Sequence, residues 1–343
     1  MKKQIIKRLA GAAGDLLLAA VLLLVFAYVH HGRQWLRQRE SRGEASPAPS
    51  ASTVLSPAPP SAAEEAGGTE TKASEEDKTP WQLTFSEHFR DVPVQTENSY
   101  ASPWVSVTVT EHCLESRGHT SVYYVADIYI GKIENFRSYL AGGQFALYAT
   151  ENMEEMSRSA GAVLAINGDF YGYQPGGVTV RDGVWYRDDF TGCDLCVLYR
   201  DGRLVTYGGN EAAAAALKEE DVWQIWCFGP ELLDEEGRPL SGFNMSTAVS
   251  YANPRSALGY YEPGHYCFVV VDGRQEGYSY GVTMEELAQI FADLGCRSAY
   301  NLDGGGSAAM TFGGSFVSRQ SNGGRELSDI LLIGEAGEGE QEP

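Results

Sequence analysis

The sequence predicts an α+β class, a β-rich single domain with a few helices, preceded by one transmembrane helix. Three observations carry this. Alternating, β-branched runs outnumber helical faces along the second half of the chain. Thirty-nine glycines in 343 residues are more than long helices tolerate and point to many turns. An apolar run near the N-terminus is set apart from the rest by a polar, proline-punctuated stretch.

Taken in order, residues 1–8 form a short stub carrying Lys2, Lys3, Lys7 and Arg8. Residues 9–29 are apolar except for Asp15, about the length that spans a bilayer as a helix. The preceding basic residues place the N-terminus in the cytoplasm, although Arg33, Arg37, Arg39 and Arg42 beyond the span work against that orientation. A cleaved signal peptide would need a small-residue cleavage site, and Tyr28-Val29-His30-His31 is not one, so an uncleaved anchor is expected. Residues 30–80, rich in Pro, Ser, Ala and Glu, bury too little apolar surface to offset their ordering entropy and read as a tether. As a flexible coil its ends lie roughly 40 Å apart. The folded part is expected over 81–335 on the outer side of the membrane, with an acidic tail over 336–343.

Within the folded part, 104–110, 121–130, 144–150, 178–180, 195–199, 204–207, 223–228 and 266–271 read as strands. Asp182-Gly183 and Asp201-Gly202 are hairpin turns. Apolar residues at 284, 287, 290, 291 and 294 mark one helical face, and Thr283 with Glu286 forms a capping box at its start.

A formal charge of −20 argues against nucleic acid as a partner, because the surface repels a phosphate backbone. Of the six cysteines, Cys193 and Cys196 form a lone CxxC with no second metal-spaced pair, so a local disulfide or small buried thiols are expected rather than a zinc site. His112, His119 and His265 are scattered and read as structural.

A weak internal echo follows the helix-like stretches starting at Met153 and Met284. Each runs through Gly and a short strand into Asn167-Gly168-Asp169 or Asn301-Leu302-Asp303. Two such units can set their strand ends side by side, with both Asn-x-Asp elements on one cleft. The second continues as Gly304-Gly305-Gly306-Ser307. Three glycines directly after a strand add chain freedom that a plain turn does not need, and suit close backbone approach to a ligand with N–H groups facing an anion.

The Asn301–Ser307 run resembles the signature of the phosphodiester glycosidase family. The resemblance extends over about 160–334. Ala165–Tyr171, Asn253–Gly259, Val270–Arg274, Gly281–Ala288 and Arg325–Asp329 are similar to further family elements, in the family's order. Asp169 departs from the small residue of a better-known member. Bacterial members are often labelled exopolysaccharide-related.

The resemblance implies hydrolysis of a sugar-1-phosphate diester at C1–O. The products would be free sugar, with N-acetylglucosamine the sugar suggested, and a phosphomonoester, with an envelope polysaccharide as substrate. The chemistry needs chiefly a carboxylate near the anomeric carbon, because a phosphate ester leaves readily. Asp303 is the first candidate, then Asp272 and Asp169. Arg255 and Arg325 are candidates to clamp the phosphate. Ser307, Ser328 and the amides of Gly304, Gly305 and Gly306 would add donors. Asn167 and Asn301 would orient sugar hydroxyls or the carboxylates. No cofactor is required, and the metal is left open: Asp169, Asp272 and Asp303 would suit Ca²⁺ if they converge. The alternatives are a P–O-cleaving phosphodiesterase and a non-catalytic glycopolymer-binding module that uses Tyr171, Tyr173, Trp185 and Tyr186 for stacking.

Overall fold

The computed structural model describes residues 78–209, 211–246 and 249–336. The expected membrane span, most of the tether and the end of the acidic tail lie outside the described residues. Among the described residues no helix is long and apolar enough to cross a membrane.

Three antiparallel sheets dominate. The largest has seven strands in the order Val94–Gln95, Ser99–Ala101, Val105–Ser116, His119–Ile130, His265–Val271, Arg255–Glu262, Ser298–Asn301. A five-stranded sheet runs Leu204–Tyr207, Leu195–Tyr199, Val222–Cys227, Gly177–Arg181, Val184–Asp189. The third runs Ser315–Phe316, Met310–Phe312, Ala162–Asn167, Asp329–Gly334, Phe136–Leu140.

The inner faces of all three meet in one core that joins Val107, Ile128 and Phe268 to Leu198 and Trp226 and to Ile166, Met310 and Leu331. Each outer face is covered separately. The helix Met284–Asp293 lays Leu287, Ala288 and Phe291 on Val269 and Val271. The helix Met153–Ser159 buries Met153 and Met156 against Ile330 and Leu332. Ala214, in the helix Glu211–Ala216, and Leu217 just beyond it cover Val178 and Val197. This is the β-rich architecture with few helices that the strand pattern predicts.

Local chemistry explains the element ends. Thr283 accepts from the Glu286 amide (3.3 Å) while Glu286 accepts from the Thr283 amide (2.9 Å), the capping box expected there. Asp182-Gly183 turns the Gly177–Arg181 strand into its neighbour with both residues at positive φ (51° and 78°), the geometry of a two-residue hairpin turn. An unforeseen start is the short helix Pro80–Thr84, capped by Thr79, whose hydroxyl accepts from the Gln82 amide (3.2 Å).

Two expectations are corrected. Residues 144–150 form no strand: Gly142, Gly143 and Tyr148 all take positive φ, which breaks an extended run, and Phe145 stacks on Tyr171 (4.9 Å) and Tyr186 (5.0 Å) instead of entering a sheet. The CxxC expectation is met in part: Cys196 is a small buried thiol in the core, but the disulfide of Cys193 is not local and joins Cys227, 34 residues on.

Candidate active site

The two Asn-x-Asp elements meet, although they leave different sheets. Asn167 ends the Ala162–Asn167 strand and is fully buried. Its amide nitrogen donates to the Asp303 carbonyl (2.7 Å) and the Gly168 carbonyl (3.2 Å). Its oxygen accepts from the Ser256 hydroxyl (2.5 Å) and the Ala309 amide (3.3 Å). All the bonding capacity of this amide side chain is used inside the protein, so Asn167 sets the backbone of the Asp303 loop rather than touching a sugar. Asn301 is also buried: its nitrogen donates to the Gly229 carbonyl (2.8 Å), while its oxygen has no partner among the described residues.

Asp303 stands at the exit of the Ser298–Asn301 strand. Its Oδ2 accepts from the Ser307 hydroxyl (2.5 Å) and its Oδ1 from the Gly304 amide (2.9 Å), which fixes the carboxyl plane. The side chain keeps 13% exposure, and Arg325, itself 45% exposed, brings Nη2 to 3.8 Å from Oδ2. Burial pushes the Asp303 carboxyl above the usual carboxylate range, against the pull of Ser307 and Arg325.

The three glycines are there for different reasons. A Cβ on Gly304 would lie 2.6 Å from the Pro254 carbonyl oxygen, a clash with backbone. Gly305 has φ +62° and donates to Pro254 O (2.9 Å). Gly306 has neither constraint: a Cβ there would meet only Arg325 Nε, at 3.6 Å. Its N–H also has no partner among the described residues, whereas the Gly304 and Gly305 amides are occupied. The loop therefore presents one amide, not three.

Arg325 lies over the Phe170 ring (5.6 Å), which stacks on Tyr173 (5.0 Å), and Tyr173 meets Tyr148 edge-on (5.5 Å). Phe170 holds a left-handed φ of 67°, a costly conformation for an aromatic residue, with its ring under the Arg325 guanidinium. Tyr148 (71%) and Tyr173 (45%) are exposed.

Other expected site residues are placed differently. Asp169 is buried at 1% exposure; its Oδ1 accepts from Arg181 (2.8 Å) and the Tyr171 amide (3.2 Å), its Oδ2 from the Cys227 amide (2.9 Å). Arg181 also donates to Asp329 (2.9 Å), so two carboxylates share one guanidinium behind Asp303. Burial, helped by the charges of Asp169 and Asp303, raises Asp329 to about 7. Asp272 is also buried, accepting from the Tyr278 hydroxyl (2.9 Å) and the Arg319 amide (3.0 Å).

Arg255 is a correction to the expected clamp. It is buried, and it donates to the carbonyls of Val282 (3.1 Å), Val249 and Tyr251 (2.7 Å each), which makes it a brace for the 249–251 segment. Burial lowers it to about 10. Besides Arg325, the exposed Arg274 borders the glycine loop: its Nη1 and Nη2 lie 3.1 Å from where a Gly305 Cβ would sit. Ser328 lies buried behind Gly172, its hydroxyl without a partner among the described residues. Asp169, Asp272 and Asp303 do not gather into a cation site: among the described residues no group of three or more acidic, histidine or cysteine side chains could hold a metal ion. Of the aromatics expected to stack on sugars, Tyr173 is exposed and stacks on Phe170, Tyr171 is fully buried, and Trp185 and Tyr186 lie on the edge strand Val184–Asp189.

Against this geometry, comparison with known proteins is decisive for the family. The phosphodiester glycosidase family model matches residues 160–334, about half of the chain, and that stretch contains Asn167, Arg274, Asp303, Gly306 and Arg325. The chain belongs to the phosphodiester glycosidase family. Membership places it among hydrolases of phosphodiester glycosides. A curated relative, the SPbeta prophage-derived uncharacterized protein YomE of Bacillus subtilis (strain 168), is 29% identical over 198 residues; the match takes in 54% of this chain and 30% of that protein's length. Among solved structures, the fold is similar to the catalytic domain of zebrafish N-acetylglucosamine-1-phosphodiester alpha-N-acetylglucosaminidase, auto-inhibited by its pro-peptide. The TM-score is 0.57 at 19% identity, with 68% of this chain and 84% of that chain covered. A hypothetical protein from Synechocystis overlaps more loosely, with a TM-score of 0.49 at 15% identity, over 68% of this chain and 62% of that one.

Proposed function

We propose that this phosphodiester glycosidase splits a glycosyl phosphodiester of an envelope polysaccharide at the sugar C1–O bond, with Asp303 as the carboxylate at the anomeric carbon. N-acetylglucosamine is the sugar we favour, on the likeness to the zebrafish enzyme. The observation that carries the reading is the pairing of Asp303 with donors that can meet an anion. A carboxyl fixed by Ser307 and Gly304 stands beside the exposed Arg325, and Gly306 offers an unpartnered amide where its own chain demands no glycine.

The phosphate sits between Arg325 and Arg274 with one oxygen on the Gly306 amide, where donors meet the charge that grows on the leaving oxygen. The C1–O bond breaks with its electron pair going to the phosphate oxygen, and the developing oxocarbenium carbon is met by Asp303, directly as nucleophile or through a water that it deprotonates. Water's OH ends on C1 and its proton on the phosphomonoester. The exposed Tyr173 ring, backed by the half-buried Phe170, stacks on the sugar ring. Asn167 acts through the backbone as a positioning residue. The apolar run over 9–29 anchors the chain in the membrane, and the tether over 30–80 carries the domain on the outer side, within reach of the polymer.

Hydrolysis in ¹⁸O-labelled water tests the bond cleaved. Label in the released sugar and none in the phosphomonoester is the expected result. Label in phosphate, with sugar-1-phosphate as product, would replace this reading by P–O cleavage.

A further inference from the structure

Two buried thiols meet on the outer face of the seven-stranded sheet. Cys267 is fully buried in the His265–Val271 strand, and Cys296 is 3% exposed in the turn between the Met284–Asp293 helix and the Ser298–Asn301 strand. Their sulfurs are 3.6 Å apart. The strand that lies between them in the sheet, Arg255–Glu262, makes the room. Its Gly259 pairs with Cys267 on one side and with Ala299 on the other. A Cβ on Gly259 would lie 2.8 Å from each sulfur and 2.8 Å from the Phe291 ring, so any side chain there would displace the pair. The Tyr261 hydroxyl is hydrogen-bonded to both sulfurs, and its ring stacks on His265 (4.1 Å). Val269, Leu287 and Phe291 pack in the same cluster. The Cys296 amide donates to the Phe291 carbonyl (3.1 Å), which ties the turn to the end of the helix. The remaining free cysteines lie elsewhere: Cys113 is exposed on the Val105–Ser116 strand and Cys196 is buried in the inner core.

We infer that Cys267 and Cys296 are a covalent modification site: they close a second disulfide, which staples the end of the outer helix to the sheet beneath it. The co-reactant is a small-molecule or protein disulfide. The Cys296 thiolate attacks one sulfur of that disulfide, breaking its S–S bond and releasing a first thiolate. The Cys267 thiolate then attacks the Cys296 sulfur of the mixed disulfide and expels the second. Cys267 and Cys296 together lose two electrons and two protons, and the co-reactant leaves as two thiols. A disulfide holds its sulfurs at about 2.0 Å, so the two approach by roughly 1.5 Å, which side-chain rotation supplies. Burial pushes the Cys267 thiol up, so exchange proceeds while the helix end is open, as it is during folding. The bond closes a loop of 29 residues that contains the whole helix. The strands it joins lead to Asp272 and to Asp303, and it holds them upstream of both carboxylates. None of this depends on the reaction proposed above.

The test uses full-length protein refolded in a buffer of reduced and oxidised glutathione, then denatured and alkylated with N-ethylmaleimide without reduction. Mass spectrometry of the digest should find the Cys267 and Cys296 peptides joined, with alkylation confined to Cys113 and Cys196. Alkylated Cys267 and Cys296, glutathione left on either, or Cys267 joined to a different cysteine would overturn the assignment. Melting gives a second reading. Reductant opens both disulfides in the refolded wild type but only Cys193–Cys227 in Cys296→Ala. The fall in melting temperature should therefore be larger in the wild type by roughly 5–10 °C. An equal fall in the two proteins would overturn the staple. If Cys296→Ala does not fold, the mass spectrum of the wild type decides alone.

Discussion

Arg181→Met is the substitution whose consequences follow most directly from the geometry. The guanidinium is 2% exposed and carries bonds to Asp169 (2.8 Å), Asp329 (2.9 Å) and the Val180 carbonyl (3.0 Å), with a further one to the Ile225 carbonyl. Methionine fills much of the volume and supplies no charge, leaving two buried carboxylates without a cation. Breaking a buried pair from one side typically costs about 3–5 kcal/mol. At roughly 2–4 °C per kcal/mol for a folded region of this size, melting should fall by on the order of 10 °C. The pH dependence is the sharper signature. In the wild type, Asp329, raised to about 7, already holds a proton at mildly acidic pH. The Arg181 charge is what holds Asp329 down, so without it the folded protein keeps this proton above pH 7, while the unfolded chain holds none. The deficit should therefore grow by up to about 1.4 kcal/mol per pH unit as pH rises above 7. Urea unfolding of wild type and variant at pH 6, 7 and 8 measures it. A deficit under about 1 kcal/mol, or one that shrinks as pH rises, would refute the reasoning.

Other substitutions separate structure from chemistry. Gly304→Ala should destabilise the fold, because its Cβ meets the Pro254 carbonyl at 2.6 Å; Gly306→Ala should melt close to wild type yet lose turnover, as melting curves and initial rates will show. The Cys193–Cys227 bond spans 34 residues, so its reduction should cost roughly 4 kcal/mol by chain entropy, read as a fall in melting temperature with reductant. Asp182 and Asp272 are each raised by burial to about 6, as Asp329 is to about 7. The folded state binds their protons more tightly, so the stability they contribute is full below about pH 4 and lost as pH rises through 6 to 7. Urea midpoints should be higher at pH 5 than at pH 8, and the reverse order would contradict this.

The strands were legible where their signals are local. Alternation marks the Val105–Ser116 and His119–Ile130 pair, and the Thr283–Glu286 box marks the start of the Met284–Asp293 helix. The Asn301–Ser307 run stood out as a candidate site because Asp303 and its glycines are contiguous. The echo around Asn167 foretold the meeting of two strand ends, which the Asn167–Asp303 bond realises. What stayed hidden is long-range. Arg181 and Asp329 are 148 residues apart, and Arg181 read as the edge of a hairpin turn. A charge closing the apolar Gly177–Arg181 strand, with another opening Asp329–Gly334, was the available clue. The inward course of Arg255 to carbonyls and the exposure of Arg274 beside Gly305 were equally hidden, because burial decides them.

The most direct test of the account is turnover by Asp303→Asn, beside the wild type, on an α-N-acetylglucosamine-1-phosphodiester, with products read by ³¹P and ¹H NMR. Asparagine keeps the shape that Ser307 and Gly304 hold, so the variant should melt near the wild-type temperature. The account predicts free sugar and a phosphomonoester from the wild type and a loss of roughly 10³-fold in the variant. An Asp303→Asn protein that still turns over at the wild-type rate would contradict it.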